Sequence, residues 1–148
     1  NLTSAFYCSR AVSKDMVERG SGKIINVASG TGLRGVPNSY IYGSAKGGMI
    51  SLTRILATSL SKYGVTATCI SPGFIPVNDT SQSSGNSPQA RFIPLGRTGI
   101  PNEMGPLSVY LASDASSYTN GDLFVIDGGA LASGYSPTGY TQNIPLKI

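Results

Sequence analysis

Lys23-Ile24-Ile25-Asn26-Val27-Ala28-Ser29-Gly30-Thr31-Gly32 is the stretch on which the fold turns. Its first six residues are mostly apolar and β-branched, the composition of a short strand covered on both faces. Ser29-Gly30-Thr31-Gly32 then breaks the run as a loop. A strand hidden on both faces needs helices above and below it, and the neighbouring sequence supplies them. Upstream, Leu2, Ala5, Phe6, Val12, Met16 and Val17 form a stripe at near-helical spacing, with Gly20 as a left-handed stop. Downstream, Ala45, Met49, Leu52, Leu56, Leu60 and Tyr63 recur every three or four residues and predict a helix over 40–63, ended by Gly64. Gly47 and Gly48 inside that helix each cost about 1 kcal/mol relative to Ala. That cost predicts a close approach by another backbone or a partner helix.

Further along, 65–71 reads as a second strand stopped by Pro72-Gly73. Residues 78–89 are polar and rich in Ser, Asn and Gly, which suits a mobile lid. Pro101 starts another helix running to about Ser113. Leu123-Phe124-Val125-Ile126 is a third strand, closed by Asp127-Gly128-Gly129. The segment 131–148, through Tyr135 and Tyr140, is a tail without periodicity. Helix and strand alternate throughout, so the expected class is α/β, a parallel sheet of about three strands with flanking helices. Ligands of such sheets bind beyond the carboxyl ends of the strands. Ser29, Pro72-Gly73 and the start of the helix bearing Tyr42 all fall at that edge.

The 148 residues are one domain's worth of chain, 40% hydrophobic and 12% charged, with a net charge of +4. No two Lys or Arg are adjacent, so no nucleic-acid footprint is expected, and no apolar run is long enough to span a membrane. Cys8 and Cys69 lack metal-ligand spacing and read as reduced core thiols of an intracellular, cytoplasmic protein. No metal is expected. The chain has no histidine, which excludes Ser-His-Asp, Cys-His and histidine-metal chemistry. Proton transfer is left to Tyr, Lys, Asp, Glu or Cys.

Tyr42 and Lys46 answer that need. Four residues is about one helical turn, so phenol and ammonium share a face. A positive charge beside a phenol favours the phenolate and lowers a tyrosine pKa from about 10. With eight Tyr and five Lys in the chain, the spacing alone would arise by chance in roughly one such chain in four. Ser29 at the strand end adds the hydroxyl that completes a kit for moving a proton on and off a carbonyl oxygen.

In context the chain resembles the second half of a short-chain dehydrogenase/reductase, from Asn1 to about Ala130. Asn1-Leu2 resembles the family's Asn-bearing helix, 23–29 its serine-bearing strand, and Tyr42 to Lys46 its catalytic motif. Ile70-Ser71-Pro72-Gly73 resembles the loop under the nicotinamide. Pro94-Leu95-Gly96-Arg97 with Pro101-Asn102-Glu103 resembles the region after the lid. Leu111-Ala112-Ser113-Asp114 and Val125-Ile126-Asp127-Gly128-Gly129 resemble the closing helix and strand. The chain departs from the pattern at Thr68, where the family often has Asn, and at Val77, where it often has a Thr near the cofactor; Thr80 is a poor substitute.

The resemblance implies a partial doubly wound, Rossmann-like sheet and an NAD- or NADP-dependent enzyme. Such an enzyme interconverts a secondary alcohol and a ketone of polyol, sugar-acid or oxo-acyl type. It implies Tyr42 as general acid and base, with Lys46 depressing its pKa and holding the nicotinamide ribose. Ser29 would bind the substrate oxygen, and Asn1 would brace a water chain to Lys46. Pro72, Gly73 and the Ile75 backbone would line the cofactor. Asp127-Gly128-Gly129 is read as a structural turn and subunit contact rather than as a catalytic carboxylate. A homodimer or homotetramer is implied, with Gly47 and Gly48 fitting a helix contact between subunits.

No glycine cluster follows a strand as Gly-x-x-x-Gly-x-Gly, so the phosphate-binding half and the residue that selects NAD or NADP are expected upstream. The chain is therefore read as the later part of a longer protein, with the isolated piece inactive. Two alternatives stand beside this reading. One is an epimerase or dehydratase sharing the Tyr/Lys couple, and the other a catalytically silent binding or assembly module.

Overall fold

The computed structural model describes residues 1–76 and 87–135. Val77, Thr80, most of the expected lid and the tail beyond Tyr135 lie outside the described residues. Helix α1 (Leu2–Arg19) ends at Gly20, whose φ of 70° turns the chain into β1 (Gly22–Val27). One turn of 3-10 helix (Gly30–Gly32) precedes α2 (Tyr40–Leu60), and β2 (Val65–Pro72) follows. Then come α3 (Gly105–Ala112) and β3 (Leu123–Ile126). The three strands are parallel in the order β1-β2-β3, with Gly22 opposite Val65 and Pro72 opposite Ile126. β3 pairs only with the last four residues of β2, so the strand ends converge on one edge. No helix among the described residues is long and apolar enough to cross a membrane.

The core lies between α2 and the sheet. Ile24, Ala57, Val65 and Ala67 form one buried cluster, with Met16, Leu56 and Leu60 against it; Ala28, Ile50 and Cys69 form another. Two expected stripes are displaced. On α2 the buried positions are Lys46, Met49, Ile50, Thr53 and Ala57, rather than the row of Ala45, Leu52 and Tyr63. The polar members are admitted because each is bonded: Thr53 Oγ1 donates to the Met49 carbonyl and accepts from Asn26 Nδ2 at 2.9 Å, as buried polar groups require. On α1 the inward row is Leu2, Ala5, Ser9, Ser13 and Met16, while Phe6 and Val12 face outward.

Cys69 is buried as expected, but Cys8 is exposed, so the reading of both thiols as core residues is corrected. It sits beside Ser9 on α1, one position off the packed row.

Gly47 and Gly48 do meet a close approach, within this chain. A Cβ on Gly47 would lie 3.3 Å from the Gly32 carbonyl, and one on Gly48 would lie 2.6 Å from Leu2 Cδ2. Both are taken up internally and lend no support to a contact between subunits. The segment after Pro101 opens as a 3-10 turn (Pro101–Met104) before α3 begins. Pro106 has no amide hydrogen for the Asn102 carbonyl, and the Gly105 amide reaches that carbonyl instead.

Candidate active site

The carboxyl ends of β1 and β2 and the first turns of α2 enclose a cavity of about 630 Å³. Ser29, Tyr42, Lys46, Pro72, Gly73 and Ile75 all line it, with Val27, Ala28, Pro76, Pro101 and Met104 completing the walls. Every site residue expected from the sequence is therefore brought together except Asn1. Asn1 is exposed and does not line the cavity. Its carbonyl accepts from Ser4 Oγ and the Ala5 amide.

Lys46 reaches the cavity because α2 begins at Tyr40 and its second turn lies over the end of β1. Only 9% of the residue is exposed. Its Nζ donates to the Val27 carbonyl at 2.6 Å and stands 5.7 Å from the centroid of the Tyr42 ring, within cation–π range. Among the described residues no carboxylate pairs with it; the ion pairs are Lys14–Glu18 and Arg97–Glu103. A buried ammonium without a counter-ion is costly to the fold. One of its three N–H donors is spent on Val27, and two remain. Tyr42, at 44% exposure, holds the open side of the same cavity.

Ser29 stands at the end of the strand with extended backbone, φ −168° and ψ 152°. Its Oγ accepts from the Thr31 amide at 3.2 Å, which leaves the hydroxyl hydrogen for a ligand. The turn that follows is seated on α2. A Cβ on Gly32 would fall 2.7 Å from the Lys46 carbonyl carbon, so only glycine lets the serine loop approach the helix that bears Tyr42 and Lys46. That contact sets the three polar groups relative to one another.

Gly73 forms the floor. Its amide donates to the Ile126 carbonyl at 2.9 Å, and a Cβ there would lie 2.6 Å from Asp127 Cβ. Asp127 turns away from the cavity, its carboxylate accepting from the amides of Gly129 (2.9 Å) and Leu131 (2.7 Å). Its expected role as a structural turn is what this geometry describes.

The wall carrying Pro101 and Met104 is braced by Arg97, whose guanidinium grips Glu103 at 2.7 and 3.1 Å. Glu103 also accepts from the Ile100 amide at 2.9 Å. These bonds, Arg97 first, hold the Glu103 carboxyl down at about 2. Met104 was not anticipated as a lining residue. The Pro101-Asn102-Glu103 run was the available signal.

Comparison with known proteins agrees with this architecture. A family model described as enoyl-(acyl carrier protein) reductase matches residues 1–130. A 3-oxoacyl-[acyl-carrier-protein] reductase of Synechocystis sp. is 42% identical over 130 residues, covering 87% of this chain and 52% of that protein. The 2-dehydro-3-deoxy-D-gluconate 5-dehydrogenase of Escherichia coli is 37% identical, over 89% of this chain and 54% of that protein. A crystal structure of a gluconate 5-dehydrogenase from Burkholderia cenocepacia in complex with NADP and tartrate superposes with a TM-score of 0.80 at 31% identity. That match covers 89% of this chain and 53% of that one. The chain thus spans about half the length of the curated relatives it matches. Sheet order, strand-end serine, Tyr/Lys helix and matched span agree: the chain belongs to the short-chain dehydrogenase/reductase family.

Proposed function

We propose that this chain is the later half of an NAD- or NADP-dependent oxidoreductase that interconverts a secondary alcohol and a ketone. The observation that carries the reading is one cavity into which Ser29, Tyr42 and Lys46 all open, with the lysine buried and, among the described residues, unpaired by any carboxylate. A cation held at such cost is explained by work it does on a ligand. The names of the relatives, an oxoacyl reductase and gluconate-type dehydrogenases, support a substrate of oxo-acyl or sugar-acid type, and the NADP of the Burkholderia structure supports a nicotinamide partner.

The residues fit the nicotinamide end of such a cofactor. A cavity of about 630 Å³ is of ligand size. Pro72, Gly73 and Ile75 offer a largely apolar wall for the ring, and Lys46 has two donors left for ribose hydroxyls. When bound, the nicotinamide supplies or takes the hydride, which no side chain here can carry. The Ser29 hydroxyl donates to the substrate oxygen where negative charge develops. Tyr42 gives its phenolic proton to that oxygen in reduction and takes it back in oxidation. Lys46 holds positive charge beside the phenol through both directions. Asn1 as the brace of a water relay to Lys46 rests on the family resemblance alone.

The test is Tyr42→Phe in the full-length enzyme. Removing a general acid costs about 10²- to 10⁴-fold in kcat, with cofactor affinity, read by fluorescence titration, largely kept. An unchanged reduction rate would show that the phenol is not the proton carrier.

A further inference from the structure

A second opening of about 320 Å³ lies next to the catalytic cavity, with Arg34, Phe74, Phe92 and Tyr135 in its wall. The linings of the two meet at two places in the chain. Ser29 lines the first, and the next residue, Gly30, lies against Tyr135: a Cβ on Gly30 would come 3.0 Å from the Tyr135 hydroxyl. Gly73 lines the first, and its successor Phe74 lines the second. A substrate with its carbonyl at Ser29 therefore has only a short distance to cover before it meets the second opening.

Two arginines line that opening, Arg34 and Arg91, and Arg34 is the one stacked on Tyr135. The Arg34 guanidinium lies 3.5 Å from the centroid of the Tyr135 ring, and Phe74 meets the same ring edge-on at 6.1 Å. Stacking occupies the face of a guanidinium and leaves its N–H edge free to bind in plane. Among the described residues no Asp or Glu lines the opening, and no carboxylate pairs with Arg34.

Tyr135 is held in place at a cost. Its φ is 59°, a value that a non-glycine residue adopts only when its surroundings impose it. The turn that imposes it is tied to a fully buried residue, the Tyr135 amide donating to the Ala130 carbonyl at 2.9 Å. Tyr135 also lies beyond the residues 1–130 that the family model matches, so this brace belongs to the chain's own tail.

We propose that Arg34, stacked on Tyr135, anchors a carboxylate at the far end of the substrate, which makes the substrate an oxo acid and its product a hydroxy acid. A planar fork of donors matches a carboxylate in two parallel hydrogen bonds. A single fork balances one negative charge. The second arginine of the opening, Arg91, is laid over Phe92 at 4.7 Å. The inference rests on the proposed alcohol–ketone chemistry for the identity of the reacting group, and on the geometry at Arg34 for the anion.

The experiment uses the full-length enzyme with levulinate and its neutral methyl ester. The wild type should prefer the acid. In Arg34→Gln the ratio of kcat/KM for acid over ester should fall about 10- to 100-fold, mainly through the KM of the acid, and Arg34→Lys should recover part of it. Tyr135→Leu should move the ratio in the same direction by a smaller factor. Arg34 is exposed, so these variants should fold. An unchanged ratio in Arg34→Gln would overturn the proposal. If the wild type turns over neither ketone, the alcohol–ketone reading fails, and calorimetric titration with sodium glutarate against neutral glutaramide still decides the anion site. Glutarate binding that Arg34→Gln abolishes supports the site; equal binding by both proteins overturns it.

Discussion

Two cations stand at the same edge of the sheet in opposite circumstances. Arg97 is locked to Glu103 by two hydrogen bonds, with a third from the Ile100 amide to the same carboxylate. Lys46 is more deeply buried, yet its bond is to a neutral carbonyl and, among the described residues, no carboxylate answers it. The first arrangement is self-sufficient and holds a wall in shape. The second stores an unanswered charge against an open cavity, and it is there that a ligand has something to gain. Asp127 makes the same point from the acidic side: two amides consume its carboxylate, so it has little left for chemistry.

The contrast breaks most easily at Lys46. In the full-length enzyme, Lys46→Met keeps similar volume and removes the charge; turnover should fall about 10²-fold. Steady-state kinetics at saturating cofactor reads this, and near-normal turnover would demote Lys46 to a merely structural cation.

The next effect in size is at Asp127. Truncation to Ala abandons two charge-assisted bonds and should cost about 2–3 kcal/mol in denaturant unfolding, while turnover per folded molecule changes only a few-fold. A collapse of rate with stability intact would move Asp127 from scaffold to chemistry.

The smallest effect belongs to the paired cation. The Glu103 carboxyl sits at about 2 in the folded chain against an ordinary 4.5. A depressed carboxyl stabilises above its unfolded value and loses that contribution as pH falls, here between about 4.5 and 2. Because both partners are about one-third exposed, the contribution should stay under about 1 kcal/mol. Thermal melts across that window should show a shallower acid limb in Glu103→Gln than in the wild type. Identical limbs would mean that the wall does not depend on this pair.

The order of elements was legible because it rests on short-range signals. Leu123–Ile126 is a strand as read, Gly20 and Gly64 both take left-handed φ values, and α2 starts at Tyr40. The inward faces were legible only in part. Hydropathy ranks Lys46 and Thr53 as outward, yet both are buried because Val27 and Met49 offer them carbonyls. Small serines, rather than Phe6 and Val12, face inward on α1. At the site, six of the seven expected residues share one cavity, and Asn1 does not join them.

Sequence alone determined which groups could do chemistry here. Without histidine, and with a phenol and an ammonium one helical turn apart after a strand-end serine, the candidates were few. Those are local facts, set by helical periodicity and residue type. Tertiary structure alone decided that Lys46 is buried at the cavity wall while Arg97 is paired, that Gly32 lets the serine loop rest on α2, and that Arg34 stacks on a tail tyrosine a hundred residues away. Burial and pairing depend on which elements cross, and no short-range pattern in a chain specifies that.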